Sequence, residues 1–330
     1  MSFRAAIVGC GAFGRVHAGC LAQLDDVETI AFCDVAEERA QELAREFGGE
    51  YATADPEKVF ADGSVDVVYI ATQHDSHADL CVRALEAGKH VLVEKPLALT
   101  VDDCRRVGEA VERTGLRLMV GFKVRYTDMV RKARELIPDP IVVTMQMMDD
   151  RWPAGAWTND PVTGGGNVLS QGCHSADLLR FVSGRDPLEV YAAGGNYYQP
   201  SGVVDNLTAT VRFDGGAAGS WVQGDASRPP LTSKMFLQLF AEDASVTLTD
   251  RLTTLTYARA GQEPQVFRGG EPGFLEESRD FLQSLRDGTP PPIDHVDGLF
   301  ATLTVLQAIA SARSGRPEPV AELVTSWRNR

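Results

Sequence analysis

The sequence predicts an α/β protein in two parts. A doubly wound parallel sheet is expected over residues 1–122, and an α/β domain with a large, mostly antiparallel sheet over 123–330. Three observations carry this. Apolar strands alternate with amphipathic helices through the first third of the chain. The first strand-to-helix turn carries three glycines spaced GxGxxG. Beyond residue 122, β-rich stretches joined by tight turns take over. A length of 330 residues fits two domains.

Each element follows from its pattern. "FRAAIVGCG" is a short apolar run ending in glycine, which reads as a buried strand, and "GRVHAGCLAQL" has apolar residues at helical spacing. "VETIAFCDV" is a second strand, and "EERAQELAREFG" a helix closed by Gly48. "VDVVYIAT" and the helix "SHADLCVRALEAG" come next. They are followed by the strand "KHVLVEKP" and the helix "TVDDCRRVGEAVERTG", with Thr100 as its N-cap. "LRLMVGF" is the fifth strand of a parallel sheet covered on both faces.

In the second part, "VRYTDMVRKARELI" reads as a helix and "PIVVTMQMM" as a strand. "LEVYAAGGNYY", "NLTATVRFDGGAAGSWVQGD" and "KMFLQLFAEDASVTLTD" are β-rich, and "DGG" at 214–216 is a hairpin turn. "FLEESRDFLQSLRDG" and "VDGLFATLTVLQAIASARSG" are helices ending at glycine. No linker is rich enough in Pro, Gly or Ser for loosely tethered domains, so a firm interface with an active site between them is expected.

Composition narrows the function classes. Hydrophobic residues make up 44% and charged residues 24%, enough apolar material for a core without disulfide staples. A net charge of -14 repels phosphate backbones and anionic lipid, which argues against nucleic-acid and membrane partners. The cysteines at 10, 20, 33, 81, 104 and 173 form no CxxC pair and no zinc spacing, so no metal site is expected. They read as reduced core thiols of a cytoplasmic protein. "MSFRAAIVGCGAFG" lacks the long apolar core of a signal peptide, and no run is long enough to span a bilayer. No internal repeat is evident.

The glycine turn, Gly9, Gly11, Ala12, Phe13 and Gly14, follows a strand and opens a helix. That context points to a dinucleotide, with the pyrophosphate at the helix N-terminus. Asp34 ends the second strand twenty residues after Gly14. A carboxylate there accepts from ribose hydroxyls and repels a 2′-phosphate. Val35 and Ala36 follow with no arginine, which favours NAD over NADP as cofactor. Glu94, Lys95 and Pro96 follow the strand "HVLV" and should face the crevice beyond the strand ends. Two local readings stay open: a lysine that polarises a substrate oxygen, or an ion pair at a loop start.

"GCGAFGRVHAG", "ATQHDSHADLCVRALEAGKHVLVEKPLA" and "GGGNVLSQGCHSADLL" together resemble the Gfo/Idh/MocA family of NAD(P)-dependent sugar and polyol oxidoreductases. The resemblance covers nearly the whole chain. It implies a Rossmann domain, a second domain on a large antiparallel sheet, and hydride transfer between a nicotinamide and a sugar, inositol or related polyol. It also implies no metal, and a homodimer or homotetramer formed through the C-terminal sheet. Lys95 becomes the catalytic lysine, touching both substrate and nicotinamide ribose.

His174 matches the family histidine, while Ser170 stands where the family usually has an aspartate, four residues earlier. Leu169, Cys173, Ala176 and Leu179 can form one buried stripe of a helix, with Ser170, His174 and Asp177 on another face. An aspartate would favour an imidazolium; a serine orients without charge. Three readings follow. Lys95 and His174 keep the chemistry while Ser170 or Gln171 reshapes the substrate pocket. Alternatively, Asp177 partly replaces the carboxylate, or catalysis is lost and the fold senses a ligand. In the first, His174 takes the alcohol proton and Lys95 stabilises the oxygen as hydride leaves.

Further expectations are softer. Thr72 should lie near the cofactor, with His77 opening the next helix and also in the cofactor-binding set. Gln73 replaces the usual family proline. His17 and His90 read as structural. Arg125, Trp157 and Asp160 match positions that often line the family pocket, against an interface ion pair for Arg125 and plain packing for Trp157. "RPP" at 228–230 is expected to shape a loop over the site or an oligomer contact. The competing functions are a glycoside hydrolase acting by transient oxidation with NAD, and a non-catalytic sensor.

Overall fold

The computed structural model describes residues 2–228, 233–270 and 273–328. The chain runs β1 (Phe3–Val8), α1 (Ala12–Leu21), β2 (Val27–Cys33), α2 (Glu37–Phe47), β3 (Tyr51–Thr53), α3 (Pro56–Phe60) and β4 (Val67–Ile70). It continues through α4 (His77–Glu86), β5 (His90–Glu94), α5 (Val101–Thr114) and β6 (Leu118–Gly121). Then come α6 (Asp128–Leu136), β7 (Val142–Asp150), α7 (Gly166–Ser183), β8 (Pro187–Gly195), β9 (Asn206–Phe213) and β10 (Ala218–Ser227). The remainder is β11 (Met235–Phe240), β12 (Ala244–Thr249), β13 (Thr254–Arg259), β14 (Gln265–Arg268), α8 (Phe274–Asp287), α9 (His295–Ser314), β15 (Glu318–Pro319) and α10 (Ala321–Arg328).

Two compact units emerge. The first comprises residues 1–122 and 273–298; the second, 123–272 and 299–330. In the first, the strands run β3-β2-β1-β4-β5-β6, every neighbouring pair parallel. The order reverses at β1, between β2 and β4, the switch point where such sheets bind ligands. Strand β4 is buried along its whole length, as a sheet covered on both faces requires. The Thr100 side chain accepts from the Asp103 N–H and caps α5, a bond of about 1 kcal/mol. The sequence pattern shows five strands here and the structure six. Strand β3 has only three residues, too few for a periodic signal.

The second unit holds a nine-stranded sheet, among the described residues, in the order β14-β13-β12-β11-β7-β10-β9-β8-β15. Its pairs are antiparallel except β7 with β10. The β9–β10 hairpin turns at Asp214–Gly216, and Leu207, Ala209, Val211 and Phe213 are buried while Thr208, Thr210 and Arg212 are exposed. Strands β13, β14 and β15 were not apparent in the sequence pattern. Pro229 and Pro230 lie outside the described residues.

One expectation is corrected. The second domain is not continuous to residue 330, because α8 belongs to the first unit. Its Phe274 ring lies 6.2 Å from Phe13 and 5.6 Å from His17, and Phe281 lies 6.4 Å from Tyr69. Arg286 pairs with Asp26, and the Val120 N–H donates to the Ile293 carbonyl at 3.1 Å. An amphipathic pattern shows that one face of α8 is buried, but not against which partner.

Candidate active site

The glycine turn is built by close approach. Gly9 has φ +96°, and a Cβ there would stand 2.4 Å from the Ala71 carbonyl oxygen, beyond β4. A Cβ on Gly14 would fall 1.9 Å from the Gly9 oxygen, so α1 can begin this near β1 only with glycine. A Cβ on Gly11 would meet nothing within 4 Å, and no side chain caps α1. Gly11, at the N-cap, has no side chain to cap the first turn of α1, where Ala12 and Phe13 are exposed. This cradle fits a dinucleotide pyrophosphate.

Asp34 leaves β2 half-buried and turns back on this loop. Its Oδ2 accepts from the Cys10 N–H at 2.8 Å, and Oδ1 from the Ala36 N–H at 2.9 Å. Each oxygen has a second lone pair, so the carboxylate can hold the loop and still accept from a ribose hydroxyl. Val35 beside it is 94% exposed. Burial, with Asp34 and Cys33 adding charge, pushes the Cys10 thiol up to about 12, so it stays protonated and inert.

Thr72 is half-buried after β4, and its Oγ1 lies 2.7 Å from the Ser76 Oγ. His77, expected to touch the cofactor, is fully buried instead. Its Nδ1 lies 2.8 Å from the Pro96 carbonyl oxygen and its Nε2 3.2 Å from that of Thr72. The ring packs between two backbone segments and has a single proton to donate to one of them. Burial lowers its pKa below the ordinary histidine value.

Glu94 ends β5 and Lys95 follows it, both 6% exposed, and the Lys95–Pro96 peptide is cis. The Glu94 Oε1 lies 2.9 Å from His17 Nε2, and its Oε2 accepts from the Lys95 N–H at 3.3 Å. This is not a surface ion pair. Glu94, expected in the cofactor-binding set, faces inward to α1 and braces the turn that carries Lys95. His90 accepts from the Arg117 N–H at 3.0 Å, a structural role, and its pKa is lowered by burial and then by Arg117.

His174 stands in the second unit, 5% exposed, on α7. Gly165 and Gly166, with φ of +77° and +87°, turn the chain into this helix. The sequence divides α7 into a buried stripe and a polar face, but the structure buries both. Only Gln171, Arg180 and Phe181 are partly exposed. Polar contacts seat the helix on the sheet. Ser175 donates to the Gln223 Oε1 at 2.8 Å, Gln223 donates to Asn167 at 3.2 Å, and Asn167 donates to Asp149 at 3.0 Å. Ser170 is 2% exposed.

Asp177, on the His174 face, is gripped by Arg125. The guanidinium Nε donates to Asp177 Oδ2 at 2.8 Å and a terminal nitrogen donates to Oδ1, while the Phe181 ring lies 5.1 Å from the guanidinium carbon. Arg125, expected in the substrate pocket, thus forms a buried ion pair inside the second unit. Asp160 is exposed, and its Oδ1 accepts from the Val162 and Thr163 N–H groups at 2.8 and 2.9 Å, which lowers its pKa. It shapes the turn into the triple glycine. Trp157 is 39% exposed, more than simple packing requires. Sequence reading missed Lys234, whose Nζ lies 2.7 Å from Asp149 and 3.5 Å from the Gln171 Oε1. A lysine at a strand start gives no local signal of such a partner.

Among the described residues, no group of three or more His, Cys, Asp or Glu is placed to hold a metal, and no helix is long and apolar enough to cross a membrane. Residues 3–122 match the oxidoreductase family with an NAD-binding Rossmann fold, and residues 130–246 match the GFO/IDH/MocA C-terminal domain. The chain is 26% identical to myo-inositol 2-dehydrogenase of Thermotoga maritima, over 97% of this chain and 99% of that protein. It is 27% identical to the NAD-named scyllo-inositol 2-dehydrogenase of Bacillus subtilis, over 95% of each. An NAD-binding oxidoreductase structure from Klebsiella pneumoniae superposes with a TM-score of 0.87 at 21% identity, over 97% of this chain and 99% of that one. With both domains matched in order, the chain belongs to the GFO/IDH/MocA family of oxidoreductases.

Proposed function

We propose that this protein is an NAD-dependent dehydrogenase of a secondary alcohol in a sugar, inositol or related polyol, with Lys95 and His174 as its catalytic pair. The observation that carries the reading is the Glu94–Lys95–Pro96 turn at the carboxyl end of β5, in the same sheet as the dinucleotide cradle after β1. The names of the inositol dehydrogenase relatives support the substrate class. Asp34, followed by Val35 and Ala36, supports NAD over NADP.

The cradle of Gly9 to Gly14 would hold the pyrophosphate and Asp34 the adenosine ribose, with Thr72 near the nicotinamide half. When bound, the nicotinamide supplies the hydride acceptor or donor. His174 takes the hydroxyl proton in oxidation and returns it in reduction. The Lys95 ammonium stabilises the substrate oxygen as negative charge grows on it. Ser170 and Gln171 shape the pocket without a charge at the position where the family resemblance implies an aspartate. We place the enzyme in the cytoplasm, in line with six buried cysteines, as a homodimer or homotetramer formed through the C-terminal sheet.

The test is a screen of inositols, aldoses, amino sugars and uronates at 340 nm, with NAD and NADP in parallel. Turnover with NAD that is lost in Lys95→Ala and in His174→Ala is the expected result. Tight NAD binding without turnover on any compound would refute the dehydrogenase reading. In that case Ser170→Asp is the next protein to make.

A further inference from the structure

We propose that His17 and His77 are paired positioning residues that hold the Glu94–Lys95–Pro96 turn and so set the place of the Lys95 side chain. The proposal rests on the reading of Lys95 as the catalytic lysine. Lys95 sits between the two anchored residues. His17 grips Glu94, whose other carboxylate oxygen receives the Lys95 N–H. His77 sits between the Pro96 carbonyl, which its Nδ1 faces, and the Thr72 carbonyl, beyond the neighbouring strand β4, which its Nε2 faces. All of these groups lie in the first unit.

Both rings are too buried to touch a substrate: His17 is 1% and His77 0% exposed. As space fillers they would be costly, because buried ring nitrogens lose their water. An apolar side chain would fill either place without that cost. Two histidines from different helices instead direct their polar atoms at one tripeptide.

The geometry also assigns the protons. Among the described residues the Nδ1 of His17 has no hydrogen-bond partner, so a proton there would be buried without an acceptor. Nε2, which has the Glu94 Oε1 as acceptor, is therefore the nitrogen that donates to Glu94. Tyr69 and Phe274, with ring centroids 5.5 and 5.6 Å away, fix the ring plane. At His77 both nitrogens face carbonyl oxygens, and burial disfavours the doubly protonated ring. Its one proton goes to the shorter contact, from Nδ1 to Pro96. Each histidine thus donates one hydrogen bond to the turn, through opposite ring nitrogens.

That difference supplies the test. A glutamine amide nitrogen lies near the place of Nε2, and an asparagine amide nitrogen near that of Nδ1. His17→Gln and His77→Asn keep the donor; His17→Asn and His77→Gln lose it. Lys95 is read directly in the free protein, by its acetylation rate with acetic anhydride followed by peptide mass spectrometry. Turnover on a substrate from the screen and the Kd for NADH are measured alongside. The donor-losing variants should change Lys95 acetylation by about tenfold and lower kcat by about 10- to 100-fold, with Kd within about twofold, because misplacement by about 1 Å costs that much. The donor-keeping variants should stay within about threefold in every readout.

The crossed order, Gln tolerated at 17 and Asn at 77, supports the proposal. The same order at both positions, wild-type behaviour in all four variants, or kcat and NADH affinity falling together overturns it. If one donor-losing variant fails to fold, the other histidine decides by the same criteria. If both fail to fold, the residues are structural and the proposal is overturned. Full turnover in Lys95→Ala would instead sink the reading of Lys95 itself, whatever the acetylation pattern.

Discussion

Replacing Asp177 by asparagine should destabilise the second unit strongly. Arg125 and Asp177 are 7% and 2% exposed, and the guanidinium meets the carboxylate with two nitrogens. Removing one charge from a buried pair leaves the other uncompensated, at a cost of about 3–5 kcal/mol. A domain of this size loses about 2–4 °C in melting temperature per kcal/mol, so the midpoint should fall by about 6–20 °C. Thermal unfolding followed by circular dichroism reads this directly. The double variant Arg125→Met/Asp177→Leu should recover most of the loss, since well-packed apolar residues replace buried pairs at little cost. A fall of less than about 3 °C in the single variant would refute the argument. So would a double variant as unstable as the single one. Either result would return Asp177 to consideration as the carboxylate that stands in beside His174.

Two other predictions follow from the first unit. Gly14→Ala would force a Cβ to 1.9 Å from the Gly9 oxygen, so the turn must shift. NADH affinity, measured by fluorescence titration, should fall by about tenfold or more, and unchanged affinity would show that the cradle does not hold the cofactor. Stability should also fall on acidification. Burial holds the His77 and His90 pKa values below the ordinary value of about 6.5, so the unfolded chain takes up protons first. Their contribution is complete above about pH 6.5 and is lost as pH falls toward the folded-state pKa values. Urea midpoints between pH 8 and 5 should show this loss, less steeply in His77→Asn; equal slopes in both proteins would count against the assignment.

Much of the first unit was legible because its signals are local. The glycine spacing, the carboxylate ending β2 and the Thr100 cap each need only a few neighbouring residues. The same holds for the Asp214–Gly216 hairpin. What escaped depends on distant partners or on very short elements. Arg125 and Asp177 are 52 positions apart, and nothing near either one names the other. Helix α7 carries serines, a histidine and an aspartate on a face that periodicity alone would leave open to water. The polar chain from Ser175 through Gln223 to Asn167 and Asp149 lets that face be buried instead. His77 opens a helix in the expected place, yet its ring faces two carbonyl oxygens that only the folded sheet brings together.

The return of α8 to the first unit bears on how the chain is made. A ribosome delivers residues 1–122 long before residue 274. Until α8 emerges, the sides of His17 and Tyr69 that it covers stay bare, and so does the Asp26 carboxylate that Arg286 pairs with. The nascent cofactor-binding half must therefore wait, incompletely closed, while strands β7 to β14 of the other half are synthesised. A gene fragment cut after residue 122 would inherit that exposed apolar strip permanently. Joining residues 273–298 to it through a short linker should yield the smaller protein that folds.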